Sequence, residues 1–141
     1  MENTSPLDPA AIFHRMYDND PFSRWMGMEL VSVGEGTCTL KMRVRAEMLN
    51  GFGVAHGGIT FSLADSAFAF ACNSRGRHTV SIHCTVEHVA PVFENDELTA
   101  TATEENLGNQ ISNYAITVEK QDGTRVAFFR GVAYRKREEW K

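Results

Sequence analysis

Over much of the chain, apolar and polar residues alternate one for one. Cys38, Leu40, Met42, Val44 and Ala46 alternate with Thr39, Lys41, Arg43 and Arg45 across Thr37 to Ala46. Val80, Ile82, Cys84 and Val86 alternate with Ser81, His83, Thr85 and Glu87, and Leu98, Ala100 and Ala102 alternate with Thr99, Thr101 and Thr103. Tyr114, Ile116 and Val118 follow a turn at Gly108-Asn109, and Asp122-Gly123 is a hairpin signal leading into Val126 to Tyr134. With Met28 to Val33 as a first strand, the pattern predicts five or six strands. One face of each is polar, so the sheet is expected to be antiparallel and covered on one side.

Two segments depart from this period. Asp8 is a good N-cap, Pro9 suits a first helical position, and Ile12, Phe13, Met16 and Tyr17 share one face. They predict a short N-terminal helix that ends at Asn19 to Pro21. The second segment, Gly57 to about Arg75, is alanine-rich, too long for an ordinary strand, and followed by Gly76 as a stop. It is apolar nearly all round, which predicts a buried helix. One long buried helix among runs of strands indicates an α+β fold, with the sheet wrapped around the helix. Length fits a single domain over residues 1–141, with a core at about 10–134 and a charged tail at 135–141 that is expected to fray.

Charge narrows the field. A net charge of −4 argues against nucleic acid as a partner, and no apolar run is long enough for a transmembrane helix. The polar start, Met1 to Thr4, predicts no signal peptide. Cys38, Cys72 and Cys84 are odd in number and widely spaced among apolar neighbours. They read as buried thiols in a reducing, cytoplasmic setting, not as disulfides or zinc ligands. There is no Gly-x-Ser-x-Gly elbow and no His-Glu-x-x-His. His78, His83 and His88 are five residues apart, so neighbouring pairs point to opposite faces of a strand.

Two features carry possible chemistry. Asn50-Gly51-x-Gly53-x-x-His56-Gly57-Gly58 opens the long helix. It is either a plain glycine-rich turn or a helix N-terminus whose free N–H groups polarise an electrophile. Asp65 sits among Leu63, Ala64, Ala67 and Phe68. It either reaches water on an exposed stripe or occupies a specialised pocket. Together they suggest an acyl-transfer site, subject to a geometric limit. Gly57 and Asp65 are eight positions apart, about 12 Å along a helix axis. A shared site then requires two antiparallel copies of the helix related by a two-fold axis.

Met48-Leu49-Asn50-Gly51, His56-Gly57-Gly58, Phe61 to Ala69 and Ala71-Cys72-Asn73-Ser74, with Arg130-Gly131 and Asp18 to Asp20, resemble the hotdog-fold acyl-CoA thioesterases. They resemble most closely the PaaI-type branch of bacterial phenylacetate degradation. The resemblance implies a hotdog fold, a homo-oligomer built as a tetramer of two dimers, and no cofactor beyond the coenzyme A of the substrate. It implies Asp65 as nucleophile or general base, the Gly57 N–H, with Gly58, as carbonyl donor, and Asn50 as orienting group. It also implies that His56 shapes the turn and that Ser66 positions water. The expected substrate is an aromatic acyl-CoA, phenylacetyl-CoA or hydroxyphenylacetyl-CoA. A hydroxyacyl thioester dehydratase and a non-catalytic acyl-CoA binder are the alternatives. Coenzyme A phosphates need local basic groups, for which Arg75 and Arg130 are the first candidates and Arg77 and Arg135 to Arg137 the others. Met48, Phe52 and Phe61 are candidates for an acyl pocket.

Overall fold

The alanine-rich segment forms one helix, Gly57–Asn73, and a six-stranded antiparallel sheet curves around it. The computed structural model describes residues 5–141; Met1 to Thr4, and the expectation that they open no signal peptide, lie outside that range. In chain order the helices are α1 (Pro9–Tyr17), α2 (Pro21–Trp25) and α3 (Gly57–Asn73). The strands are β1 (Glu29–Gly34), β2 (Thr37–Arg43), β3 (Arg77–His88), β4 (Glu97–Leu107), β5 (Ile111–Lys120) and β6 (Arg125–Glu139). Their order across the sheet is β1-β2-β4-β5-β6-β3, so β3 is an edge.

The alternation works as expected. Leu40, Met42, Ala100, Ala102, Ile116, Val118 and Phe129 point inward, and all are essentially excluded from solvent. They meet Leu63, Ala64, Ala67, Phe68 and Ala71 of α3. Alanines on both partners let the sheet close on the helix backbone, while each buried Leu or Phe contributes about 1.5–3 kcal/mol. Cys38 and Cys72 belong to this core, and burial pushes both thiols up to about 12. Among the described residues no helix is long and apolar enough to cross a membrane.

Three boundaries depart from the sequence reading. Pro21 opens a helix rather than only ending one: Asp20 caps α2 by accepting from the Ser23 N–H, and Pro21 takes the first helical position. The strand read as Thr37 to Ala46 stops at Arg43, and Ala46–Met48 coil into a 3-10 turn. The tail from 135 to 141 is ordered. β6 runs through Glu139, which pairs with Arg77, and the Trp140 ring packs tilted against His78 at 4.2 Å between centroids and donates to Asn73 Oδ1 at 3.0 Å. The charges that suggested fraying lie on a strand anchored by one aromatic.

Gly131 of β6 is a close-approach position. A Cβ there would meet the Phe68 ring at 2.6 Å, so the glycine is what lets α3 lie flat on β6. Gly131→Ala is therefore expected to destabilise the fold by about 1–3 kcal/mol through overpacking. Chemical denaturation checks this; an unchanged midpoint would show that Phe68 has room to move.

Candidate active site

The loop into α3 is shaped by its own side chains. Asn50 Oδ1 accepts from the Phe52 N–H at 2.9 Å and the Val54 N–H at 3.4 Å, closing a turn. The His56 N–H then donates to Met48 O at 2.9 Å, which sets the entry angle of the helix. His56 is the N-cap of α3, and its Nδ1 accepts from the Gly58 N–H at 2.9 Å. A ring nitrogen that accepts carries no proton, so in the neutral ring the proton sits on Nε2.

This cap decides which amide is available. The Gly58 N–H is committed to His56, so Gly58 is not the free donor that the resemblance paired with Gly57. Gly57, at the first helical position, has no acceptor for its N–H among the described residues. That N–H points out of the helix end, where the aligned peptide dipoles concentrate partial positive charge. The imidazole of His88 overhangs it, since a Cβ on Gly57 would lie 3.3 Å from His88 Nε2. The sequence reading gave His88 no role. Contacts of β3 with α3 at Asn73–Thr79 and at Gly57–His88 show the two running in opposite directions, which delivers His88 to the helix tip.

Asp65 lies two turns further along α3. It is half-buried, and no hydrogen bond to its carboxylate exists among the described residues. Burial raises its pKa above the ordinary carboxylate value. Burial is the main cause that raises the Cys72 and Cys84 thiols, and the nearby Asp65 charge adds to both, so Asp65 lies on the side of α3 near Cys84 of the edge strand β3. Ser66 points elsewhere: its hydroxyl meets Ser23 Oγ at 2.9 Å, and Ser23 Oγ donates to Asp20 Oδ2 at 2.7 Å. Ser23 has only one proton to give, so Ser66 is the donor to Ser23, and the chain of hydroxyls ties α2 to α3.

Beside the helix tip lies a cleft of about 340 Å³ lined by Phe22, Trp25, Met26, Met48 and Ile59, with Gly58 on its wall. Of the three acyl-pocket candidates, Met48 lines it. Phe52 is 94% exposed on the loop, and Phe61 packs edge-on against Phe129 at 5.2 Å. Helix α2, which the sequence reading did not include, supplies Phe22 and Trp25; the Asp20-Pro21 pair was its signal. Arg75 and Arg130 do not reach the site. Arg75 is held by Glu35 and Glu104 at the opposite end of α3, and Arg130 is held by Glu105. No cluster of metal-ligating side chains occurs among the described residues.

A free amide at a helix tip and a desolvated carboxylate midway along the same helix are the two groups that acyl transfer needs: one to hold an oxyanion, one to supply or activate a nucleophile. Comparison with known proteins points the same way. A family model described as the thioesterase superfamily matches residues 52–127. The chain is 44% identical over 122 residues to the acyl-coenzyme A thioesterase PaaI of Escherichia coli, covering 86% of this chain and 87% of that protein. It superposes on the E. coli PaaI protein from the phenylacetic acid degradation operon with a TM-score of 0.88 at 43% identity, covering 89% of this chain and 91% of that one. A mutant form of the phenylacetic acid degradation protein PaaI of Thermus thermophilus superposes with a TM-score of 0.80 at 35% identity, covering 83% of this chain and 100% of that one.

If the His56 ring is the cap that shapes this tip, His56→Ala costs about 1 kcal/mol of stability and His56→Asn restores most of it, because an Asn oxygen caps as well. Urea unfolding of the three proteins measures this. Equal midpoints would remove His56 from the role of cap.

Proposed function

We propose that the chain, which belongs to the thioesterase superfamily and is a thioester hydrolase, cleaves an aromatic acyl-CoA, such as phenylacetyl-CoA or hydroxyphenylacetyl-CoA, to the free acid and coenzyme A. The observation that carries the site assignment is the pairing on one helix of the Gly57 N–H with the half-buried Asp65, neither of which has a hydrogen-bond partner among the described residues. The aromatic substrate is supported by the cleft at the helix tip, where the Trp25 and Phe22 rings remain exposed. It is supported also by the likeness to proteins of phenylacetic acid degradation.

The working unit in this reading is a two-fold dimer formed along β3. This strand is a twelve-residue edge with unpaired backbone groups and exposed Val80 and Ile82, which an antiparallel copy would cover. Asp65 faces that edge, so a partner adds its own helix tip to the same crevice. Exposed Phe128, Tyr134 and Ile111 on the outer sheet face are available for dimers to pair into a tetramer.

In each crevice the thioester carbonyl oxygen accepts from the Gly57 N–H of one subunit. The partner's Asp65 attacks the carbonyl carbon itself or deprotonates the water that does. The tetrahedral oxyanion is held by the Gly57 amide and the helix dipole. The C–S bond then breaks and the coenzyme A thiolate leaves, taking up a proton; where Asp65 itself attacks, the acyl group is left on its carboxylate as a mixed anhydride, which water hydrolyses to the free acid and the restored Asp65. Asn50 and His56 fix the shape of the loop that presents the amide. No group beyond the substrate's own coenzyme A is required.

Asp65→Ala should lower kcat for thiol release from phenylacetyl-CoA by at least about 100-fold while the protein stays folded. Near-normal turnover would remove Asp65 from its role. In the wild type, kcat/KM falls on the acid side with a pKa above the ordinary aspartate value, because the desolvated carboxylate must be ionised. The same shift makes the ionised carboxylate a stability cost: a raised folded pKa contributes stability only below the ordinary value, and that contribution is lost as pH rises through the folded value. Asp65→Asn is therefore expected to raise Tm at neutral pH as it abolishes turnover. A screen of aromatic, short and long acyl-CoAs tests the substrate, and a tenfold preference for a long chain would overturn the aromatic assignment.

A further inference from the structure

Four arginines of this chain are neutralised by carboxylates. Arg45 pairs with Glu47 at 2.7 Å, Arg75 with Glu35 and Glu104 at 3.0 and 2.9 Å, Arg125 with Glu119 at 3.6 Å and Arg130 with Glu105 at 3.1 Å. A group of three is different. Arg77, Arg135 and Arg137 converge on a cavity of about 290 Å³ where β3, β6 and the 108–110 turn meet. None of them forms an ion pair with a described carboxylate.

Two of the three are held rigidly all the same, by backbone carbonyls. Arg77 donates through Nε to Lys136 O at 2.6 Å, through Nη1 to Asn109 O at 2.9 Å and through Nη2 to Arg135 O at 2.9 Å. Arg135 donates through Nη1 to Gly108 O at 2.7 Å. Carbonyl oxygens orient a guanidinium without cancelling its charge. Arg135 Nε is buried with no acceptor, an orphaned donor of the kind folded proteins rarely leave. The Arg137 side chain makes no hydrogen bond to a described residue. Burial lowers the Arg135 pKa, and repulsion from Arg77 lowers it further. Glu104 offsets part of the Arg135 charge through space, but no nearby carboxylate forms an ion pair with any of the three among the described residues. Glu104 is taken by Arg75 and by the Tyr114 hydroxyl, and Glu139 lines the cavity without pairing to any of the three.

Like charges fixed close together around an open cavity, with no ion pair to a described carboxylate, form a site for an anion. In a chain of net charge −4 such a site stands against the overall trend. Guanidinium forks match phosphate oxygens in geometry as well as charge.

We propose that the cavity bounded by Arg77, Arg135 and Arg137 binds a phosphate group of the coenzyme A substrate. The inference rests on the acyl-CoA hydrolase reading and deepens it. Its position suits the ligand. The cavity lies at the end of the sheet where α3 terminates, and Asp65 to the helix cap Ser74 is about 14 Å along the axis. Coenzyme A carries its phosphates at the far end of the pantetheine arm from the thioester, so they must be held at a distance from the reacting carbon. Arg75 and Arg130 are unsuited to this task because their partners already satisfy them.

Arg137→Gln is the sharpest test, since Arg137 supports nothing else in the fold. With phenylacetyl-CoA as substrate, KM should rise about tenfold with kcat within twofold. With the N-acetylcysteamine thioester of phenylacetate, which has no phosphate, the KM shift should vanish. Arg135→Lys, which keeps the charge and loses the fork, should raise KM for the CoA thioester alone, and a thermal melt of each variant confirms folding. An equal KM effect on both thioesters, or none on either, overturns the proposal. So does loss of thermal protection by inorganic phosphate in Arg137→Gln with KM for the CoA thioester unchanged, which would make this a free-phosphate site. A wild-type protein that hydrolyses neither thioester would instead count against the hydrolase reading.

Discussion

Gly57 and Asp65 are mounted on one rigid helix, about 12 Å apart along its axis, and no aspartate rotamer closes that gap. Everything functional in this molecule follows from that constraint. The amide that can hold an oxyanion and the carboxylate that can drive attack cannot serve the same carbonyl from a single chain. In the proposed function each is offered to a second copy, and the fold presents both in a way that suits this. Asp65 faces the edge strand β3, and the Gly57 amide points off the helix tip with no acceptor of its own among the described residues.

The core explains why the helix can be used this way. Its apolar positions are buried by the concave face of the sheet, and its small residues let the strands approach its backbone. A rod held so firmly pins groups along its length to fixed places. The cost is concentrated at Asp65, a charge left half in the protein interior with no described group to pair with. Burying such a group is unfavourable for folding and useful for chemistry, because a partly desolvated carboxylate is a stronger base and nucleophile than one in water. His56 plays the complementary part. By occupying Gly58 it satisfies one helix amide and leaves its neighbour open.

Much of this was legible in the residues. Period-two alternation marked five strands and the alanine-rich run marked α3, because in both cases one hydrophobic period persists long enough to override local ambiguity. The helix tip and Asp65 stood out as a glycine-rich opening and a lone carboxylate among apolar neighbours. What was not legible depended on contacts distant in sequence. The charged stretch after Arg135 looked like a loose tail, yet Trp140 docks it on His78 and Asn73. Arg75 and Arg130 looked available until Glu104 and Glu105 were found beside them, whereas Arg77 and Arg135 are held by carbonyls that no side-chain pattern reveals. His88 reached the helix tip only because β3 runs back along α3. Helix α2 is the one element that could have been read, since Asp20-Pro21 repeats the Asp8-Pro9 signal of α1.

Subunit complementation tests the shared site most directly. Gly57→Pro removes the N–H while keeping the helix, because proline is favoured at a first helical position and His56, at φ −59 and ψ 135, already has the conformation that a following proline demands. Gly57→Pro and Asp65→Ala proteins, each inactive alone, are denatured together and refolded as a one-to-one mixture, with two affinity tags to confirm mixed dimers. If each site joins Gly57 of one chain to Asp65 of the other, half of the dimers are mixed and each regains one intact site. The mixture should then recover about a quarter of wild-type activity. Mixed dimers with no recovered activity would contradict the account.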